Sequence, residues 1–489
     1  MTKALSAGPA IMRDPGGVAD RHFDVAIVGG GIYGALCAVE ASRRGFRTLL
    51  IERADFGAGT SFNSLRTIHG GLRYLQWLDL VRARRSALQQ RWWFERFPDL
   101  VQLRPCVMPL YGRRGRGRAA FRVAGAFAGL AGIQRFSAGK SAQSPVEILA
   151  RGEIVRRWPG MPGDGLQGGA QWLEGFMPES SRVILECLRW AIAGGAAVLN
   201  YVELVEAQPA GNVRTGLTLL DRVTGEHFAV TAGAVVNAAG YRVDEVARRL
   251  GGNAQSLVRP TLAWNLLLEA NLPEEACLVL TPPARDPQAY FLQPFHGRLL
   301  AGTGHAAIPQ SGVASNPPRR IIESMQRQLD AAWPEARLAR AQVLRVLAGI
   351  LPGVRAGDAR LATRPRIARD TAAGGARVVH VVGVKFTEAP EVARLALDRL
   401  CGAAALPAIA RPPPGEDWNV LEPSRPATRE ALLGLAARES VVYLEDLVER
   451  RTNAWCDRAA SERVARLVEG ALDSRAPPAD LPPATGNDA

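Results

Sequence analysis

A chain of 489 residues exceeds one ordinary hydrophobic core, so two domains and a small appendage are expected. Its 47% apolar content is that of a globular protein, and no run approaches the roughly 20 apolar residues of a membrane-spanning helix. The formal charge of +13 would suit nucleic acid, a membrane surface or an anionic small molecule. No DNA- or RNA-binding motif accompanies it, so no nucleic-acid partner is expected. The six cysteines (Cys37, Cys106, Cys187, Cys277, Cys401 and Cys456) are scattered, with no CxxC and no metal-ligand spacing to histidine. That points to reduced thiols in the cytoplasm and to no metal site.

Residues 1–22 mix small, charged, Pro and Gly residues and are expected to form a disordered leader, not a signal peptide. The apolar, β-rich run Phe23–Val28 reads as a buried parallel strand. Gly29-Gly30-Gly31-Ile32-Tyr33-Gly34 follows, and Ile32, Leu36 and Val39 then share one stripe of a helix that ends at Gly45. The run Thr48–Ile51 delivers Glu52 at its C-terminal end. This is a complete βαβ dinucleotide unit. In it Gly29 permits the tight turn, Gly31 lets backbone approach a pyrophosphate and Gly34 lets helix pack on strand. The helix N-terminus supplies amide donors for phosphate, and Glu52 is placed to accept from a ribose diol.

A long helix is expected around Gln76–Phe97. Residues Arg113–Phe136 join a basic cluster (Arg113, Arg114, Arg116, Arg118 and Arg122) to a small-residue apolar run. That stretch reads equally as a segment lying on a membrane surface or as a solvated loop followed by a core helix. A helical pattern over Ser180–Ala193 stops at Gly194-Gly195, followed by a strand around Ala197–Val202 and a hairpin-like region through Arg222–Val230. Ala234–Gly240 reads as a buried strand breaking at glycine. Residues 255–350 alternate short apolar runs with Pro/Gly turns, as an antiparallel substrate-domain sheet would. Val378–Val382 is another buried strand, running into Gly383–Thr387 and a helix over Pro390–Leu400. The Pro-rich Arg411–Gly415 reads as a linker to a helical appendage. Only Lys3, Lys140 and Lys385 are lysines, and Lys385 alone sits in an ordered apolar context.

Five separated strings resemble the FAD-dependent glycerol-3-phosphate dehydrogenases, within the D-amino-acid-oxidase-like flavoproteins. They are the glycine unit ending in Glu52-Arg53, the stretch Asp55–Ser61 with Ile68–Tyr74, Val236–Gly240, Val382–Thr387, and Leu444–Thr452. The resemblance implies an α/β fold with three parts. A discontinuous Rossmann-like FAD-binding domain would take residues 23–105, 151–245 and 351–405. An antiparallel-sheet substrate domain would take 106–150 and 246–350, and a short C-terminal helical domain 416–475. It implies FAD contacts from Gly29, Gly31, Ile32, Gly34, Glu52 and Arg53, then from Gly59, Thr60, Ser61, His69, Gly70 and Gly71. Val202, Ala239, Gly240, Gly383, Lys385, Phe386 and Thr387 complete the set. The Gly59–Ser61 hydroxyls suit phosphate oxygens, the Gly70-Gly71 pair lets backbone pass a flat ring, and the Gly383 turn would aim a helix N-terminus at the flavin. For substrate, the resemblance implies His69 as acceptor of a hydroxyl proton, Arg73 and Tyr74 at the phosphate and glycerol hydroxyls, and Lys385 on substrate or reduced flavin.

The chain departs from the family at one phosphate-gripping arginine. In Ala348–Ala356 one register puts Leu351 at that place, and the other puts Arg355 there without the following proline. Glu388 and Pro390 also replace the usual continuation of the lysine turn, and a carboxylate near a phosphate site repels it. The expected reaction is oxidation of sn-glycerol 3-phosphate, or a related anionic hydroxy substrate, with quinone or oxygen as electron acceptor. An amine or amino-acid oxidase of the same fold, a flavoprotein that has lost the phosphate site and a nicotinamide enzyme are the alternatives. The expected location is the cytoplasm, with peripheral contact to the inner face of the cytoplasmic membrane through Arg113–Phe136.

Overall fold

The structure is a computed structural model that describes residues 8–75, 79–112, 117–130, 146–211, 213–252, 256–283, 288–308, 316–355, 357–403, 410–413 and 427–473. For Arg73, Leu75, Ala124 and positions 127–130 only the backbone is described. Two sheets organise these residues. The first runs edge to edge through Arg366–Thr371, Arg377–Val382, His227–Asn237, His22–Val28, Thr48–Ile51 and Ala197–Leu199. All neighbours in this row are parallel except the Arg366–Thr371 edge, and the hairpin Val202–Pro209/Thr215–Asp221 extends the sheet from His227–Asn237.

Successive strand residues point to opposite faces, and both faces of this sheet are covered. Ile27, Val236 and Val381 pack under the helices Ile32–Arg43, Ser180–Ala193 and Ala389–Cys401, against Leu36, Leu185 and Leu397. Ala26, Val235 and Val378 face the other way, onto Leu204, Leu217 and Leu219 of the hairpin.

The second sheet runs Val343–Pro352, Pro260–Leu268, Arg298–Ala307, Tyr290–Phe295, Cys277–Leu280, Gln102–Leu110, Gly168–Phe176 and Thr67–Ile68. Its pairs are antiparallel except Cys277–Leu280 with Gln102–Leu110. The amphipathic helix Arg319–Ala332 covers one side through Ile322, Met325 and Leu329. Thr67–Ile68, Gln102–Leu110 and Gly168–Phe176 therefore belong to this sheet, so its membership does not follow the expected boundaries at 105, 151 and 351. Apolar alternation identifies a strand, but its partners are fixed by contacts far away in the chain.

The expected long helix spans Leu80–Arg96, with the Asp79 carboxylate accepting from the Arg82 N–H at its start (3.0 Å). Helix Arg118–Leu130 covers part of Arg113–Phe136, of which 113–116 and 131–136 lie outside the described residues. Its Phe121 is fully buried, stacked on Trp172. The expected disordered leader is corrected for residues 8–22. Ile11 is fully buried and its N–H donates to the Arg438 carbonyl (2.8 Å), while Arg13 reaches the Asn200 carbonyl (3.1 Å) and pairs with Asp221. Two buried apolar residues, Ile11 and Val18, anchor an otherwise polar stretch. The linker residue Arg411 is likewise docked, forked onto Asp99 at 2.8 and 2.6 Å.

Candidate active site

The carboxyl ends of the parallel strands open into a cavity of about 320 Å³ whose far wall is the second sheet. Val28, Ile51, Ala238 and Val382 line it from the first sheet, and Asn265, Thr303 and Leu351 from the second. Crevices at the carboxyl ends of parallel strands are where doubly wound sheets bind ligands.

At one end lies the dinucleotide unit. Gly29 has φ +112° and its N–H donates to the Ile51 carbonyl (2.8 Å), so the turn closes tightly after the strand. A side chain at Gly34 would place its Cβ 1.8 Å from the Gly29 carbonyl oxygen. Gly34 thus acts as the helix-packing glycine and stays off the cavity wall, while Gly29, Gly31 and Ile32 line it. The Ser61 hydroxyl accepts from the Ile32 N–H (3.1 Å), which ties the loop 57–65 to the start of the helix. Glu52 lies at the cavity with each carboxylate oxygen already holding one backbone donor, Gly30 N–H at 2.7 Å and Ala54 N–H at 2.8 Å. Burial pushes this carboxyl above the usual range against the pull of those donors. Arg53, Val202, Ala239, Gly240 and the ion-paired Glu203, Arg249 and Glu245 complete this end.

At the other end the Ile68–Gly71 string meets the turn after Val382. The His69 N–H donates to the Thr387 hydroxyl (3.0 Å), and the Thr387 carbonyl accepts from Trp93 Nε1 (3.1 Å). His69 Nδ1 lies 3.8 Å from Glu174 Oε1, and the His69 ring sits edge-on to Phe291. Glu174 is 2% exposed and accepts from the Gly70 N–H (2.7 Å) and Trp172 Nε1 (3.0 Å). Lys385, which also lines the cavity, has its Nζ 4.6 Å from the Tyr74 ring centre. Tyr33 of the first helix donates its hydroxyl proton to the Lys385 carbonyl (2.6 Å) and accepts from the Val384 N–H (3.1 Å), so the first and last cofactor-type turns are joined directly. Burial pushes the Tyr33 phenol far above its ordinary range, which keeps it a proton donor.

The cavity wall gathers Gly59, Thr60, Ser61, His69, Gly383, Lys385, Phe386 and Thr387, with Gly29, Gly31, Ile32, Glu52, Arg53, Val202, Ala239 and Gly240. Gly70, Gly71 and Tyr74 stand outside it. Gly71 has φ +86° and a Cβ there would meet Ser86 at 2.6 Å, so its need for glycine is local packing and not passage of a ring. A Cβ at Gly383 would lie 1.9 Å from the Tyr33 ring, so that glycine makes room for the tyrosine. The backbone of Arg73 lies in the short helix Leu72–Leu75, but its side chain lies outside the described residues. The expected catalytic role of Arg355 is corrected: it is exposed beyond the end of the strand Val343–Pro352 and away from the cavity, whereas Leu351 lines it. Glu388 is buried and is likewise not on the wall, so it places no carboxylate there.

Sequence reasoning missed Glu174, Tyr33, Asn63, Ser64, Asn265 and Thr303. The Thr303 hydroxyl donates to Asn265 Oδ1 (2.8 Å), and Asn265 Nδ2 donates to the Asn63 carbonyl (2.8 Å). Asn63 Oδ1 and Ser64 Oγ are buried at the cavity without a hydrogen-bond partner among the described residues. Tyr33 sits inside the glycine motif, which was an available signal, and Asn63 and Ser64 lie just past the Asp55–Ser61 string. The others are single polar residues in distant strands.

The description "FAD dependent oxidoreductase" matches residues 24–399, about three-quarters of the chain. The chain is 28% identical to a glycerol-3-phosphate dehydrogenase of Synechocystis over 427 residues, covering 83% of this chain and 76% of the relative. It is 31% identical to glycerol-3-phosphate dehydrogenase 1 of Mycobacterium tuberculosis over 392 residues, covering 77% and 72%. A Bacillus halodurans glycerol-3-phosphate dehydrogenase complexed with FAD shares the fold, with a TM-score of 0.59 at 20% identity over 79% of this chain. This chain spans 65% of that protein. The residues here fit FAD. An extended ligand gains free acceptors at Glu52, unpartnered polar atoms at Asn63 and Ser64, and a side-chain-free approach at Gly31, where a Cβ would already stand 3.1 Å from Ser61 Oγ. With its family matched over most of its length, the chain belongs to the FAD-dependent oxidoreductases, in the group that includes the glycerol-3-phosphate dehydrogenases.

Proposed function

We propose that the protein oxidises sn-glycerol 3-phosphate to dihydroxyacetone phosphate and passes the electrons to a quinone or to oxygen. The observation that carries this is the seating of His69 on the Thr387 turn with Glu174 behind it, at the substrate-sheet end of a dinucleotide cavity. FAD, when bound, supplies the hydride acceptor. His69 would take the hydroxyl proton as the carbon gives up hydride, with the Glu174 carboxylate 3.8 Å from its Nδ1. Lys385, held at the same wall, and Arg73 would supply positive charge for the phosphate. Turnover that yields a ketone without ammonia supports this reading.

A second reading rests on Leu351 standing on the wall while Arg355 is exposed and not part of it. With one fewer arginine at the anion, an amine or amino acid whose carboxylate is held by Arg73 alone also fits. Ammonia among the products would establish it.

We further infer peripheral membrane contact through Arg113–Phe136, whose described part includes the helix Arg118–Leu130. Val123 of that helix is 49% exposed beside the exposed Arg122, as a surface-lying contact requires. Among the described residues no helix is long and apolar enough to cross a membrane. Flotation with anionic vesicles at low salt tests the contact, and recovery equal to that with neutral vesicles would overturn it.

A further inference from the structure

The matched family description ends at residue 399, yet the described C-terminal segment 427–473 is seated on the loop that follows Glu52. At one end of that loop is Asp55, fully buried. Its carboxylate accepts from Arg450 Nε (2.6 Å), from Arg451 Nη1 and Nη2 (2.6 and 2.8 Å), and from Asn200 Nδ2 (3.0 Å). Asn200 is in turn tied to Ser440 by two hydrogen bonds (2.8 and 2.7 Å), and Tyr201 donates to Asp446 (2.6 Å). Residues 199–202 also hold the backbone around Glu52: Glu52 N–H donates to Leu199, Tyr201 N–H to Ala54 and Val202 N–H to Glu52.

At the other end Trp455 meets Phe62 edge to face at 5.3 Å. The Arg66 guanidinium lies 5.1 Å from the Phe62 ring and 5.4 Å from the Trp455 ring, and it is buried. Arg345 faces the same two rings and pairs with Glu449. Between these fixed ends lie Gly59, Thr60, Ser61, Asn63 and Ser64, all on the cavity wall.

We propose that the C-terminal segment is a clamp that positions the loop 55–66 for FAD, so that cofactor affinity depends on residues outside the dinucleotide fold. The proposal rests on the reading of the cavity as the FAD site. Asp55, Arg451 and Trp455 are positioning residues and need not touch the cofactor. Burying this many charges is costly, and their paired geometry specifies one docked arrangement of the segment. Coupling between two sites is reciprocal: if docking of the clamp strengthens FAD binding, FAD must strengthen docking.

The test titrates FAD into deflavinated full-length protein, wild type and the variants Asp55→Asn and Trp455→Ala, following flavin fluorescence. Alongside it, amide hydrogen exchange is measured on wild-type protein with and without FAD. The expected result is a Kd for FAD raised roughly ten- to hundredfold in each folded variant. In wild type, FAD should slow exchange in residues 440–456 as well as in 57–64. Variants that bind FAD like wild type, or protection of 57–64 with no change in 440–456, would overturn the clamp while leaving the site intact. The exchange arm decides the matter if the variants do not fold. Wild-type protein that takes up no FAD would overturn the site reading, and the clamp with it.

Discussion

His69 and Glu174 face each other at one end of the second sheet, Nδ1 to Oε1 at 3.8 Å, with the carboxylate fixed by the Gly70 N–H and Trp172. The histidine directly follows the edge strand Thr67–Ile68 and the glutamate lies in the neighbouring strand Gly168–Phe176, about a hundred residues later in the chain, so the pair exists only in the folded chain. General base catalysis is worth roughly 10²- to 10⁴-fold, so His69→Ala should lower kcat by that range with FAD retained. Glu174→Gln should lower kcat by less, with KM little changed. The double variant should be no slower than His69→Ala alone, because groups acting as a unit are not additive. Additive losses would mean that Glu174 acts independently of the histidine.

Glu52 offers the cavity a buried carboxylate with one donor already on each oxygen. Hydrogen bonds to a charged group contribute about 2 kcal/mol, or roughly thirtyfold in binding. Glu52→Gln should therefore raise the Kd for FAD by about that factor in a fluorescence titration of the deflavinated protein. An unchanged Kd would place the ribose elsewhere.

His380 predicts a pH dependence. It is 1% exposed, its Nδ1 is 3.0 Å from the Asn237 amide nitrogen and its Nε2 is 3.3 Å from Asp370. Asn237 Nδ2 can only donate, so Nδ1 accepts and the proton resides on Nε2. Burial pushes the imidazole below its ordinary value, against the pull of Asp370. The unfolded chain therefore takes up a proton near pH 6.5 that the folded chain refuses. The stability contributed by His380 is present above that pH and is lost as pH falls below it. Comparing wild type with His380→Gln in urea, the difference in unfolding free energy should shrink between pH 7 and pH 5 and stay flat above pH 7. A pH-independent difference would contradict this.

The dinucleotide unit was legible because its strand, glycine turn, helix and acid are contiguous, and each is fixed by local sterics and periodicity. His69 and the Lys385 turn were legible through motif resemblance, although what brings them together is one hydrogen bond between His69 and Thr387, 318 residues apart. Glu174 was not legible, because a lone acid in a strand acquires its neighbours only when Gln102–Leu110 and Thr67–Ile68 pair beside it. The choice between Leu351 and Arg355 was open in sequence, since either could end the strand. Pairing of Leu351 with Thr261 sets the register and leaves Arg355 outside. The seating of Ile11 against Arg438 was hidden for the same reason, as both partners are unremarkable locally.

Anaerobic reduction of the bound flavin by sn-glycerol 3-phosphate, followed in the visible spectrum in wild type and Arg73→Ala, tests the central claim most directly. A charge-assisted bidentate contact is worth about 2–3 kcal/mol. Wild-type flavin should bleach fully and rapidly, and Arg73→Ala, with an unaltered oxidised spectrum, should show a second-order reduction rate constant roughly 30- to 150-fold lower. Flavin that glycerol 3-phosphate leaves oxidised, while an amine or amino acid bleaches it, would contradict the account.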